Sequence, residues 1–220
     1  MLKRSIMFCC GALLGVALLT IGVRAESIDG TTGVAFQQYN HVFRDGDQAQ
    51  GFVYFADGFT VLPGAAITMD CVTSVSGAID LRGTGAVHLA RDLALDSHVT
   101  ISDGGYFSSA GKGLTLGGNL RIPSGKVVHC AGDMVIDGGG RTLTFEPHAQ
   151  LMVDANATVT LRNMIISTDR IAVSKTQLDC SGSSKLCFDN VIFSLGYDLD
   201  LKGGQHFFHH DVVVTGRSLY

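Results

Sequence analysis

The 220-residue chain contains no Trp, only 3 Pro and only two Glu, Glu26 and Glu146, and its charged residues make up just 16%. Each scarcity excludes something. So few Pro rule out a Pro-rich linker or stalk. Two Glu against 18 Asp argue against a mostly helical protein, because Asp favours turns and caps whereas Glu suits helix interiors. Low charge with 46% apolar residues excludes a disordered chain. Gly is plentiful, at 28 residues, but follows no G-X-Y period, which excludes collagen. What is left is a β-rich chain with many tight turns, of a length that suits one domain or at most two.

The start of the chain reads as an address. Lys3 and Arg4 precede an apolar run from Ile6 to Val23, and Val23-Arg24-Ala25 places small residues before Glu26. This is the pattern of a secretory signal, so residues 1–25 are expected to be a cleaved signal peptide and the protein to be secreted, periplasmic or at the cell surface. The alternative is an uncleaved anchor, since about 18 apolar residues is near the minimum for a spanning helix. Gly11, Gly15 and Thr20 weaken such a helix, and Cys9 and Cys10 lie inside the run instead of after it, where a lipid anchor would need them. No stable membrane span is expected after cleavage. The remaining chain has 13 basic against 20 acidic residues, a net charge of −7, and no basic stripe, so nucleic acid is not an expected partner.

Cys71, Cys130, Cys180 and Cys187 remain after cleavage. An even number in an oxidising compartment invites disulfides. Cys180 and Cys187 bracket a loop long enough to close, and their bridge is expected; Cys71 and Cys130 meet only if the fold brings them together. The competing reading makes each a small buried strand residue. No CxxC or Cys/His zinc spacing occurs, and no metal or cofactor is expected.

Residues 26–57 differ from the rest and read as an N-terminal cap. Ala35, Tyr39, Val42 and Phe43 recur at helical spacing, which predicts a short amphipathic helix over 32–43 ending at Arg44-Asp45-Gly46-Asp47. Gly51-Phe52-Val53-Tyr54-Phe55 reads as a strand. From residue 58 to 220 the sequence repeats itself. Residues 87–95 resemble 114–122 at an offset of 27, and 160–167 resemble 187–194 at the same offset. Asp70, Asp92, Asn119, Asn163, Asn190 and Asp211 follow in steps of 22, 27, 44, 27 and 21, as if one polar residue marked the same corner of each turn.

Short alternating strands with Gly or Asp at corners and a period of 20–30 residues are the signature of a β-solenoid. One coil cannot bury its inward side chains alone, whereas stacked coils can. The expectation is an all-β parallel β-helix of about seven coils, a rod of the order of 30–35 Å at a strand spacing of about 4.8 Å. A β-sandwich also has short, evenly spaced strands. It gives no reason for Asn and Asp to recur beside the same apolar triplet.

Residues 133–166 contain Val-Ile-Asp-Gly-Gly-Gly-Arg-Thr-Leu and, from Ala157, Thr-Val-Thr-Leu-Arg-Asn-Met-Ile-Ile. This run resembles the "I-x-G-x-G-x-T-L … V-T-L-x-N-L-x-I" pattern of the pectin-lyase-like, right-handed parallel β-helix superfamily, and the similarity covers about residues 59–215. The motif is specific to an architecture and to no single activity. It implies a right-handed coil, often closed at its N-terminal end by a short amphipathic helix. At the other end, the apolar Val212-Val213-Val214 is followed by six residues, so the last coil is open, is covered by a partner, or continues in a longer protein.

Three constellations are candidates for chemistry. The Asp/Asn series reads first as a structural ladder, with stacked amides bonding one another and the turn backbone; a row of carboxylates for Ca²⁺ is the competing reading. Asp133, Asp137 and Arg141 supply the acid and Arg types that the resemblance to pectate lyases implies for proton abstraction beside a uronate, but the catalytic motifs of those enzymes have no match here, and the Gly run before Arg141 is explained by a coil corner. His206 and His210 fall on one side of a strand and His209 on the other, two ligands without a third. Tyr54, Tyr106 and Tyr197 are available as sugar platforms. The expected function is therefore that of an exported, non-enzymatic β-helix, surface or adhesin-like or structural, binding a protein partner or polysaccharide through its regular faces. The alternative is a carbohydrate-active, polysaccharide lyase-like enzyme.

Overall fold

The computed structural model describes residues 27–30, 36–38, 40–168 and 176–220; residues 1–25, expected to be a signal peptide, lie outside them. The fold is an all-β parallel β-solenoid of about 8 turns, with no helix among the described residues. Its strands wind into one continuous sheet in which neighbouring coils pair in parallel.

Each turn contributes three strand segments, and their registers sort them into three walls. In the central turns the first wall holds Gly105–Ser109, Val127–Ala131 and Gln150–Val153. The second holds Lys112–Leu116, Met134–Asp137 and 159–162, and the third holds Leu120–Ile122, Thr142–Phe145 and 164–168. The strand Thr158–Thr168 shows how the sequence turns a corner. Val159 and Leu161 point inward and Thr160 and Arg162 outward, then Met164, Ile166 and Thr168 resume the inward set. Between them Asn163 adopts φ 52°, in the left-handed region that Asn tolerates better than most side chains. One residue thus rotates the chain onto the next wall and restarts the alternation.

The corner from the third wall to the first is a hydrogen-bonded turn repeated coil after coil, closed by Ala65 N–H to Leu62 C=O at 3.0 Å, Lys126 N–H to Pro123 C=O at 3.1 Å and Ala149 N–H to Glu146 C=O at 2.9 Å. All three prolines, Pro63, Pro123 and Pro147, sit here. Pro63 and Pro147 precede residues of positive φ, Gly64 and His148, as a type II turn requires. A more demanding position is Gly58, at φ 82°, where a Cβ would lie 1.8 Å from the carbonyl oxygen of Ala78.

Turn length varies. Ala66 pairs with Ala86 and Ala86 with Tyr106, 20 residues apart; Val127 pairs with Gln150 after 23, and Gln150 with Gln177 after 27. The repeat of 160–167 in 187–194 is a true register, Thr160 opposite Cys187 and Ser167 opposite Ser194. The match of 87–95 to 114–122 is not: Val87 lies opposite Phe107 and Leu93 opposite Leu114. Alternating apolar residues occur on all three walls, so likeness alone does not identify the partner.

The helix expected over 32–43 is also corrected. Phe36–Gln38 pairs with 53–55, and His41–Phe43 pairs with 59–61, both in parallel; residues 31–35 and 39 lie outside the described residues. Val42 is exposed while Phe43 is buried, an alternation that serves a strand as well as the helical spacing serves a helix. Ser27–Gly30 and Gln48–Phe55 continue the first and second walls, which is why the turns number about 8 and not seven.

Inward residues stack in rows along the axis. One row runs Ile67, Val87, Phe107, Cys130, Val153, Cys180, and Phe43, Phe55 and Phe59 interlock near the N-terminal end with ring centroids 5.2–5.7 Å apart. Two buried hydroxyls are tied into the backbone: Ser109 donates to Asp133 C=O at 2.5 Å, and Thr168 receives the amides of Gly196 and Tyr197. The last coil exposes Phe207, Phe208, Val213 and Val214. Because each inward side chain touches the coils above and below, Leu161→Ala is expected to cost about 2–5 kcal/mol. The outward Thr144→Ala should stay within about 0.5 kcal/mol. Urea unfolding of both variants checks this, and equal costs would refute the inward stacking.

Candidate functional site

The six residues Asp70, Asp92, Asn119, Asn163, Asn190 and Asp211 do not share one corner. Asp70 lies opposite Gln50 on the first wall and accepts from Arg91 Nε at 2.7 Å. Asp92 and Asn119 each accept a backbone amide from the next coil, Gly113 at 2.9 Å and Thr142 at 3.0 Å. Asp211 is exposed on the last coil. Only Asn163 and Asn190 are stacked: both have positive φ, both are exposed, and Asn190 Nδ2 donates to Asn163 Oδ1 at 3.0 Å. The misfit lies in the first steps, 22 and 27 residues where the turns are 20 and 21, whereas the last steps of 27 and 21 keep the register of Thr160 with Cys187 and of Ile192 with Val213.

The ladder continues to a residue outside that series. Asn163 Nδ2 donates to Asp137 Oδ1 at 3.3 Å, Arg162 Nε bonds Asp137 Oδ2 at 2.8 Å, and the Gly139 amide adds a third donor at 3.1 Å. Burial alone would raise the Asp137 carboxyl, but the Gly139, Asn163 and Arg162 hydrogen bonds outweigh it and hold it below the ordinary carboxylate value. Asp133, Asp137 and Arg141 are consequently not assembled into a site. Asp133 accepts the Thr158 amide at 2.8 Å, Asp137 is engaged by Arg162, and Arg141 stands exposed across the corner. On the second wall Asp137, Arg162 and Asp189 form one outward column of alternating charge.

The histidines near the last coil also part company. His210 has φ 50°, which takes it out of strand alternation, and its Nδ1 lies 2.5 Å from Asp189 Oδ1; burial holds His206 below its ordinary pKa. Among the described residues no group of three His, Cys, Asp or Glu is placed to hold a metal ion. Cys180 and Cys187 are free thiols, not bridged, because Cys180 faces the core while Cys187 lies on the outward side between buried Leu186 and Phe188. Cys130 is free as well, so it makes no bridge to Cys71, and burial pushes its thiol up to about 12.

The structure brings a different set together at the edge of the first wall. Gly83, Thr84, Asp103, Gly105, Lys126 and His129 line an open groove of about 290 Å³, with Tyr106 between them. Lys126 Nζ sits 2.5 Å from Asp103 Oδ1, and Asp103 also accepts the Gly83 amide; the Lys126 hydrogen bond, more than any other influence, lowers the Asp103 carboxyl. Tyr106 and His129 stack at 4.2 Å, and His129 Nδ1 lies 3.1 Å from Asp154 Oδ1. On the other side of Tyr106 the register places Ala86, too small to cover a phenol ring. Gly105 is required by the core beneath the groove: at φ 114° a Cβ there would lie 2.4 Å from that of buried Leu81. A larger groove of about 490 Å³ on the third wall, lined by Thr144, Ser167, Thr168, Ser194 and Thr215, has neither an aromatic nor an ionisable side chain.

Of the groove residues, sequence reading singled out only Tyr106. A signal for the others existed: Asp103 to Lys126 and Tyr106 to His129 are both steps of 23, one full turn at this point of the rod. Using it requires the local turn length, which the apolar repeat misreads as 27.

Two outcomes follow from these environments. A carboxyl held below its ordinary value stabilises the fold above that value and loses the contribution as pH falls through its lower folded one. The stability gap between the wild type and Asp137→Asn is therefore expected to be open at about pH 6 and to close as the pH falls toward about 2; thermal melts check it, and a pH-independent gap would contradict the assignment. In the folded protein a maleimide is expected to label Cys187 before Cys180, with Cys130 reacting only after denaturation, as peptide mapping by mass spectrometry will show. Comparison of the chain with protein-family models, with curated proteins and with solved structures finds no match in any of the three.

Proposed function

We propose that the protein is an exported, right-handed β-helix of pectin-lyase-like type that acts without catalysis at the cell surface or outside it, binding a polysaccharide through the first wall. The leader-like segment 1–25 supports export, and the Tyr106 groove carries the binding reading. A sugar ring has an apolar face and a rim of hydroxyls. The groove offers a half-buried phenol beside the small Ala86, with Lys126, Asp103 and His129 around it as hydrogen-bonding groups. Its shallowness suits part of a long polymer better than a small molecule held whole.

An enzymatic reading has one observation in its favour, the His129–Asp154 pair in the same groove. An imidazole whose Nδ1 is held by a carboxylate is the usual arrangement of a general base. Affinity electrophoresis and calorimetry with a panel of soluble glycans test both readings. Binding without release of reducing ends or unsaturated products is expected. Tyr106→Ala should lower affinity by at least tenfold, about the 1.4 kcal/mol that partial burial of an aromatic ring supplies. Turnover abolished by His129→Ala would establish the enzyme instead, and an unaffected Tyr106→Ala variant would move the site elsewhere.

A further inference from the structure

The charges around the Tyr106 groove are matched in pairs, and this restricts which glycan it accepts. Lys126 is closed onto Asp103 at 2.5 Å. Arg82, at the same corner one coil below, is closed onto Asp80 at 2.7 Å. His129 is held by Asp154, and His88 on the same wall shares a hydrogen bond with Ser108. Around the groove Lys126 and Arg82 are therefore each paired with a carboxylate, and His129 and His88 each have a hydrogen-bond partner. An incoming uronate or sulfate would reach Lys126 only by setting its charge beside the Asp103 carboxylate, or by taking Lys126 away and leaving that carboxylate unpaired against a second anion.

What remains free suits hydroxyl groups. Lys126 has three N–H donors, of which Asp103 engages one geometry; Asp103 has lone pairs beyond those used by Lys126 and the Gly83 amide; His129 keeps its Nε2, and Tyr106 its phenol oxygen. A sugar hydroxyl both donates and accepts, so it can bridge the Asp103–Lys126 pair without disturbing its charge balance.

Resting on the glycan-binding reading above, we infer that the groove formed by Asp103, Tyr106, Lys126 and His129 selects neutral sugar units and excludes acidic ones.

The test is calorimetric titration of the full mature chain with cello-, manno- and galactohexaose on one side and oligogalacturonate and oligoalginate of equal length on the other. The wild type is expected to bind at least one neutral hexaose tenfold or more tightly than either uronate. Asp103→Asn, which releases Lys126, is expected to narrow the preference, raising uronate affinity about tenfold, as a newly available charge-assisted hydrogen bond would. Lys126→Gln should weaken neutral binding and leave uronates unbound; it is an independent check should Asp103→Asn fail to fold by circular dichroism. Uronate binding equal to or tighter than neutral binding in the wild type would overturn the inference while leaving glycan binding intact. An Asp103→Asn variant that folds without gaining uronate affinity would also overturn it. Binding to none of the five would overturn the inference together with the reading it rests on.

Discussion

Everything in this molecule depends on the parallel hydrogen bonding of each coil to its neighbours. A strand whose amides and carbonyls bond the coil above and the coil below has no freedom to roll, so its side chains alternate strictly in and out. Inward positions become continuous apolar rows such as Ile67 to Cys180, and outward positions become equally continuous columns on the surface. No single coil is stable by itself, because every inward residue finds most of its partners in another turn. The same constraint makes a functional site a matter of register. Asp103 and Lys126, or Tyr106 and His129, come within bonding distance only because a turn at that point of the rod is 23 residues long.

The corners absorb what the walls refuse. Proline has no amide to give a ladder, and all three prolines sit at the corner where the third wall turns into the first. Asn163 and Asn190 occupy a second corner in the left-handed region and spend their side-chain amides on each other and on Asp137. Acidic residues follow suit: Asp45, Asp92 and Asp133 each accept a backbone amide of the following coil. The large excess of Asp over Glu is in good part a corner requirement, which weakens acid content as a sign of catalysis.

How much of this is legible without coordinates divides along the same line. The walls are legible, since period-2 alternation and recurring Gly and Asp specify a parallel solenoid whatever its exact turn length. The register is legible only where a whole coil is repeated faithfully, as in Thr160–Ser167 and Cys187–Ser194. Leu-x-Leu segments from different walls look alike, and that likeness misaligned Leu93 and joined Asp70 and Asp92 to a series from another corner. His41–Phe43 misleads for a related reason: Val42 and Phe43 satisfy a helical and a strand pattern equally, and the need to cover the coil that follows decides for the strand. The groove is hidden further still, because its members are ordinary outward residues until the turn length brings them together.

The outward column Asp137, Arg162, Asp189 has a consequence for how the rod finds its correct winding. Apolar rows in a solenoid are nearly interchangeable, so a chain that skips a coil while assembling still buries Val on Leu and loses little by it. In such a skipped state Asp137 would stand against Asp189, two carboxylates side by side with Arg162 extruded. The alternating charges act as a counting device, penalising a miscount of one coil where the hydrophobic core is nearly blind to it.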